Sequence, residues 1–137
     1  MPQENIQNAG QSGVVTIVSP YTFAQTVERL VAAFESHGIR IFLKLDQQAE
    51  AAAAGLTMPP MLLLVFGNPK GGTPLMLAQP SSGLDLPLKA LVSEAKAGVV
   101  TVSFNATQYL MRRHALPDAL AANIAPVEKL IAGAISA

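Results

Sequence analysis

Asn68, Lys70, Gly71, Gly72 and Thr73 share one short stretch, Gly67-Asn68-Pro69-Lys70-Gly71-Gly72-Thr73-Pro74, which leaves an apolar run and enters a helix-like segment. Consecutive backbone N–H groups at a helix start, with a lysine beside them, suit the binding of an anion. The stretch is not a Walker A loop, because Thr73 follows Gly67-x4-Gly72 where that motif needs its lysine. Pro69 and Pro74 also remove two donors. The competing reading is a structural corner, in which the glycines take positive φ and Asn68 bonds the backbone. Asp85 and Lys89 come just before or within an expected strand, so the sheet would bring them toward Lys70 at one end. An Asp–Lys pair there is either a structural ion pair or a device for tuning a general base.

Other chemistry is poorly supported. Cysteine is absent, which excludes disulfides, thiolate nucleophiles and thiolate metal sites. His114 follows Arg112 and Arg113 at an expected helix C-terminus, where cations are favoured, and His37 stands at another helix end. Neither has a second ligand at metal spacing, so no metal and no cofactor is expected. No G-x-S-x-G stretch exists, and Ser81, Ser82 and Ser103 have no distinguishing context. An enzyme built on this chain would use Asp85 or Asp46 as base and Lys70 as electrostatic stabiliser, but no reaction is singled out.

The elements that must position these groups follow from pattern. Val14–Val18 is β-branched and bounded by Gly13 and Pro20, a strand. Thr22 and Gln25 form a capping box before a helix with apolar residues from Phe23 to Phe34, stopped at His37-Gly38. Ile39, Ile41, Leu43 and Leu45 alternate, which predicts one face of a second strand. Asp46 caps an alanine-rich helix over 47–54 that ends at Gly55. Pro59-Pro60 leads into a third strand over 61–66. Thr73 as N-cap and Pro74 at N1 predict a short helix to about Gln79. Strands over 86–94 and 99–104 flank a tight hairpin at 96–98. Asn105 is expected to cap a helix over 106–113, followed by a hinge at 114–117 and a C-terminal helix interrupted near Pro126. The order β-α-β-α-β-α-β-β-α-α predicts an α+β fold: one mostly antiparallel sheet of about five strands with helices on one face. Residues 1–13 are expected as a flexible tail and 14–137 as one domain.

Composition narrows the partners. The chain has 137 residues, nine basic and nine acidic, so no electrostatic footprint for nucleic acid or an anionic membrane is present. Apolar content is 50% and charged content 13%, which points to surface hidden in a homodimer. No signal peptide or membrane span is visible, so the expected location is the cytoplasm.

Three blocks together resemble a known family. They are Pro59-Pro60 followed by Phe66-Gly67-Asn68-Pro69-Lys70 and Gly72-Thr73-Pro74-Leu75-Met76; Leu84-Asp85-Leu86-Pro87-Leu88-Lys89; and Val102-Ser103-Phe104-Asn105 with Tyr109-Leu110 and Arg113-His114. They are similar to the bacterial and archaeal family known as domain of unknown function three hundred and two, over roughly 14–117. The resemblance implies a decorated, dimeric fold of the TATA-box-binding-protein type, with no implication of DNA binding. It implies no established activity. Members commonly carry Asp-His after the second strand, whereas this chain has Asp46-Gln47, so a role needing imidazole there is not expected.

Three functions remain open at this stage. The first is a dimeric module binding a small anionic ligand at the Gly67–Thr73 turn through Asn68, Lys70, Gly71, Gly72 and Thr73, with Asp85 and Lys89 near. The second is an interaction dimer without ligand. The third is an enzyme of unspecified reaction.

Overall fold

The computed structural model describes residues 12–137 and the backbone of Ile6–Gln7. The sheet holds strands β1 (Ile6–Gln7), β2 (Val14–Ser19), β3 (Arg40–Asp46), β4 (Met61–Gly67), β5 (Leu88–Lys96) and β6 (Val99–Asn105). Their order is β1-β2-β6-β5-β4-β3, and each neighbouring pair is antiparallel. The expected α+β class, with five long strands, is therefore the observed one. Most of the expected tail falls outside the described residues; of its described part, Ile6–Gln7 forms the short edge strand and Ser12-Gly13 leads into β2.

One face of the sheet carries the core. Ile17, Leu64, Phe66, Ala90, Val92, Val102 and Phe104 are buried there. Helices α1 (Phe23–Ser36) and α5 (Pro126–Ala134) pack together, and their Leu30, Phe34 and Ile131 join that core. Phe34 stacks on Phe66 with centroids 4.1 Å apart, an arrangement worth about 0.5–1.5 kcal/mol beyond area burial. The expected capping box starts α1, with Thr22 and Gln25 bonding each other's backbone. Asp46 caps α2 (Gln47–Ala53).

Four sequence expectations are corrected. The alternation in β3 breaks at a bulge: Ile41 pairs with Phe66 and Leu43 with Val65, leaving Phe42 extra. Ile39 and Ile41 thus face the core, while Leu43 and Leu45 turn to the opposite face, because a bulge shifts the side-chain period by one. The third helix, α3 (Pro69–Ala78), starts one turn early, with Asn68 and not Thr73 as its N-cap and Pro74 inside it. Asn68-Pro69 already supplies a cap and an N1 proline, so the glycines form the helix's first turn. Asn105 ends β6, and helix α4 (Thr107–Arg113) has Ala106 at its N-cap without a side-chain bond. Its Thr107 N–H is instead satisfied by Glu128 of α5 at 2.7 Å. Finally, the C-terminal segment is a 3-10 stretch over Asp118–Asn123 followed by α5, not one interrupted α-helix.

The opposite face of the sheet contributes nothing to either core cluster. Register places Val18 opposite Thr101, Leu91 opposite Leu63 and Val65 opposite Lys89 there, with Val14 40% and Leu43 48% exposed.

Candidate functional site

A cleft of about 290 Å³ opens beside the glycine turn. It lies where β4 ends and α3 begins, between β3, the segment entering β5, and the junction before α5. Gly67, Asn68, Gly71, Gly72 and Thr73 form one wall, Leu86, Pro87 and Leu88 another, and Ile39, Phe42, Ile124 and Val127 complete an apolar lining. The β3 bulge is what frees Phe42 from the ladder and lets it face the cleft. Sequence pattern concealed this residue, because simple alternation treats it as one of the polar side of a strand.

The turn's own donors are already used. Lys70 N donates to Asn68 Oδ1 at 3.0 Å, and Gly71 N and Gly72 N both donate to Asn68 O, at 2.9 and 3.0 Å. Asn123 Nδ2 donates to Gly71 O at 3.1 Å, and a Cβ on Gly71 would stand 2.9 Å from Asn123 O. This close backbone approach is why a glycine is needed at that point. An anion cradle of bare amides is thus replaced by a closed capping turn whose flank is the cleft wall.

Lys70 is exposed and does not line the cleft. Arg40 does not line the cleft either, but its guanidinium lies over the ring of Phe42, which does, 5.0 Å from the centroid. Lys89 Nζ donates to Pro87 O at 3.1 Å. Asp85 pairs with neither lysine. It accepts from Arg113 Nη1 through both oxygens at 3.2 Å and bonds His114 Nε2 at 2.5 Å. The expected convergence on Lys70 is therefore replaced by convergence on the end of α4, because the segment before β5 folds back against that helix.

His114 stands at the helix C-terminus the sequence predicts, and it is buried there, 6% exposed. Its Nδ1 lies 2.8 Å from Ser81 Oγ. Ser81, His114 and Asp85 thus form one hydrogen-bonded chain, assembled from a 3-10 turn (Pro80–Leu84), the residue after it, and the C-cap of α4. Ser81 and Asp85 lie within one turn of each other, but no local motif announces the chain, since His114 comes from 33 and 29 residues further on. Next to it, Ser82 Oγ is buried with no hydrogen-bond partner among the described residues. Among the described residues no group of three or more His, Asp or Glu side chains is placed to hold a metal ion.

The model of the family described as Domain of unknown function DUF302 matches residues 15–137. The chain belongs to that family. The structure is similar to the crystal structure of uncharacterized conserved protein DUF302 from Bacillus stearothermophilus, with a TM-score of 0.75 and 21% identity, covering 90% of this chain and 95% of that one. At that identity the likeness shows the fold of the DUF302 domain alone. Curated relatives are named fluoride-specific ion channels. FluC 1 of Brucella suis biovar 1 (strain 1330) is 43% identical over 105 residues, 77% of this chain and 41% of that protein. FluC 2 of Brucella melitensis biotype 1 matches at 43% over 105 residues, 77% of this chain and 39% of that protein. This DUF302 chain thus spans about two fifths of the curated relatives it matches, and among its described residues no helix is long and apolar enough to cross a membrane.

Proposed function

We propose that this DUF302 chain is a small-molecule binding module whose site is the cleft beside the Gly67–Thr73 turn. The supporting observation is the cleft itself: an apolar space of about 290 Å³ with cations only at its margins. Its size lies at the small end of the range for ligand sites. It fits a compact amphipathic molecule, with an apolar body against Phe42 and Ile124 and a carboxylate or similar anion toward Arg40, with the exposed Lys70 nearby. Asn68 and Thr73 supply polar side chains in the wall, and Gly71 and Gly72 let it come close. Asp85 and Lys89 belong to the supporting structure around the cleft. A thermal-shift titration with benzoate, octanoate and inorganic phosphate tests this. Benzoate or octanoate should raise Tm, whereas Phe42→Ala and Arg40→Gln should each abolish the rise. A rise that survives Phe42→Ala, or none with any carboxylate, sinks the reading.

The module is proposed to act as a homodimer, joined through the apolar sheet face that neither core cluster uses.

A second reading is favoured by the curated relatives. A channel requires spanning segments, and none is found among the helices described here. In the Brucella proteins the conducting part would then lie outside the matched residues, and the DUF302 part would serve as an accessory domain. On this reading the present chain works beside a membrane transport protein. Deleting the matched residues from such a relative should change the regulation of fluoride efflux from vesicles without abolishing it; complete loss of conductance would oppose this reading.

A further inference from the structure

We propose that Ser81, His114 and Asp85 form an acyl-transfer centre that hydrolyses small uncharged carboxylic esters. A carboxylate only accepts, so the His114 Nε2–H donates to Asp85 Oδ2. In the neutral imidazole Nδ1 is then the acceptor, and the Ser81 hydroxyl donates to it at 2.8 Å. That is the polarised state of a serine nucleophile, and such a constellation is recognised by geometry and roles, not by sequence position. The two ring nitrogens exchange their commonest partners, but the imidazole still accepts on one side and donates on the other. Arg113 holds both Asp85 oxygens and is a positioning residue.

Accessibility is divided as the chemistry requires. The His114 and Asp85 side chains are 4% and 13% exposed, while Ser81 faces solvent. The surroundings suit an apolar acyl group: Leu84 in the same turn is 73% exposed and Leu77 of α3 is 79% exposed. Met76, which lines the cleft, also packs on this turn, since a Cβ on Gly83 would stand 3.5 Å from its Sδ.

In the first step Ser81 Oγ bonds to the ester carbonyl carbon as its proton passes to His114 Nδ1. The carbonyl–oxygen bond to the alcohol then breaks, and the alcohol leaves with that proton. Water, deprotonated by Nδ1, adds to the acyl carbon, and the Ser81 ester bond breaks as Ser81 regains the proton, releasing a carboxylic acid.

The test uses the full chain with diisopropyl fluorophosphate, followed by peptide mapping, and 4-nitrophenyl butyrate as substrate. Wild type should gain one phosphoryl adduct at Ser81, with fluoride leaving, and Ser81→Ala should gain none and lose ester hydrolysis. His114→Gln should react about a hundredfold or more slowly, the usual contribution of a general base. Because His114 is buried, Asp85→Asn serves as the second slow variant. No adduct at Ser81, hydrolysis that survives Ser81→Ala, or labelling at an unchanged rate in both slow variants overturns the proposal. A Ser81→Ala protein that only melts lower, without any labelling of wild type, identifies the chain as a structural clamp. The probe needs no cleft, so its failure leaves the ligand-binding reading standing, and loss of ligand binding leaves this one.

Discussion

At the residue scale, glycine and serine positions separate sharply by their surroundings. Gly13 has φ +75, and a Cβ on it would run into the Tyr109 ring. Gly98 has φ +80 in the β5–β6 hairpin, with nothing within 4 Å. Gly13→Ala should therefore cost well over the roughly 1–2 kcal/mol of left-handed strain alone, while Gly98→Ala should cost only about that strain. Urea titration of both compares them directly, and equal midpoints would refute the close-contact account. Ser82→Ala tests the opposite sign. Its buried hydroxyl has no partner among the described residues, so removal should be neutral or stabilising by up to about 1–2 kcal/mol. A clear loss of stability would mean that the hydroxyl is bonded in solution.

At the element scale, the helix starts carry the contrast between what the residues announce and what the fold decides. Glu128→Ala should destabilise by about 1–2 kcal/mol, because it strips the charged acceptor from the Thr107 N–H. Asn105→Ala should be nearly neutral, since Asn105 caps nothing. Reversal of that order in urea melts would refute the assignment. Local chemistry made α1 and α2 readable: Thr22 with Gln25, and Asp46, bond their own helix within one turn. The α4 cap was unreadable because its acceptor arrives from another helix. The cleft was legible in part. Asn68, Gly71, Gly72 and Thr73 do line it, but Phe42 enters through a bulge that leaves no composition signal. The Ser81–His114–Asp85 chain was hidden for a related reason: Asp85 was legible as a candidate, but the His114 that joins it to Ser81 arrives only when α4 docks.

At the scale of the whole molecule, the sheet has one face in the core and one face that joins no cluster, where Val18, Leu63, Val65 and Leu91 stand beside Thr16, Thr101, Ser103 and Lys89. The proposed dimer predicts a particular effect. Leu63 pairs with Leu91 on one side and Leu45 on the other, at the middle of that face. Leu63→Lys should convert a dimer in sedimentation velocity to a monomer while leaving the circular dichroism spectrum unchanged. A wild type that sediments as a monomer at micromolar concentration would end the proposal. The strand order has a further consequence, for synthesis of the chain. β4, β5 and β6 are successive in sequence and adjacent in space, whereas β2 must wait for β6, with Val14 meeting Asn105. Closing so long a loop is the entropically late step. On the ribosome, Val14–Ser19 is therefore made long before its partner β6 and docks on it only once Asn105 has been added. The interval exposes a β-branched segment with an unpaired edge, and in vivo its length follows the rate at which residues up to Asn105 are made.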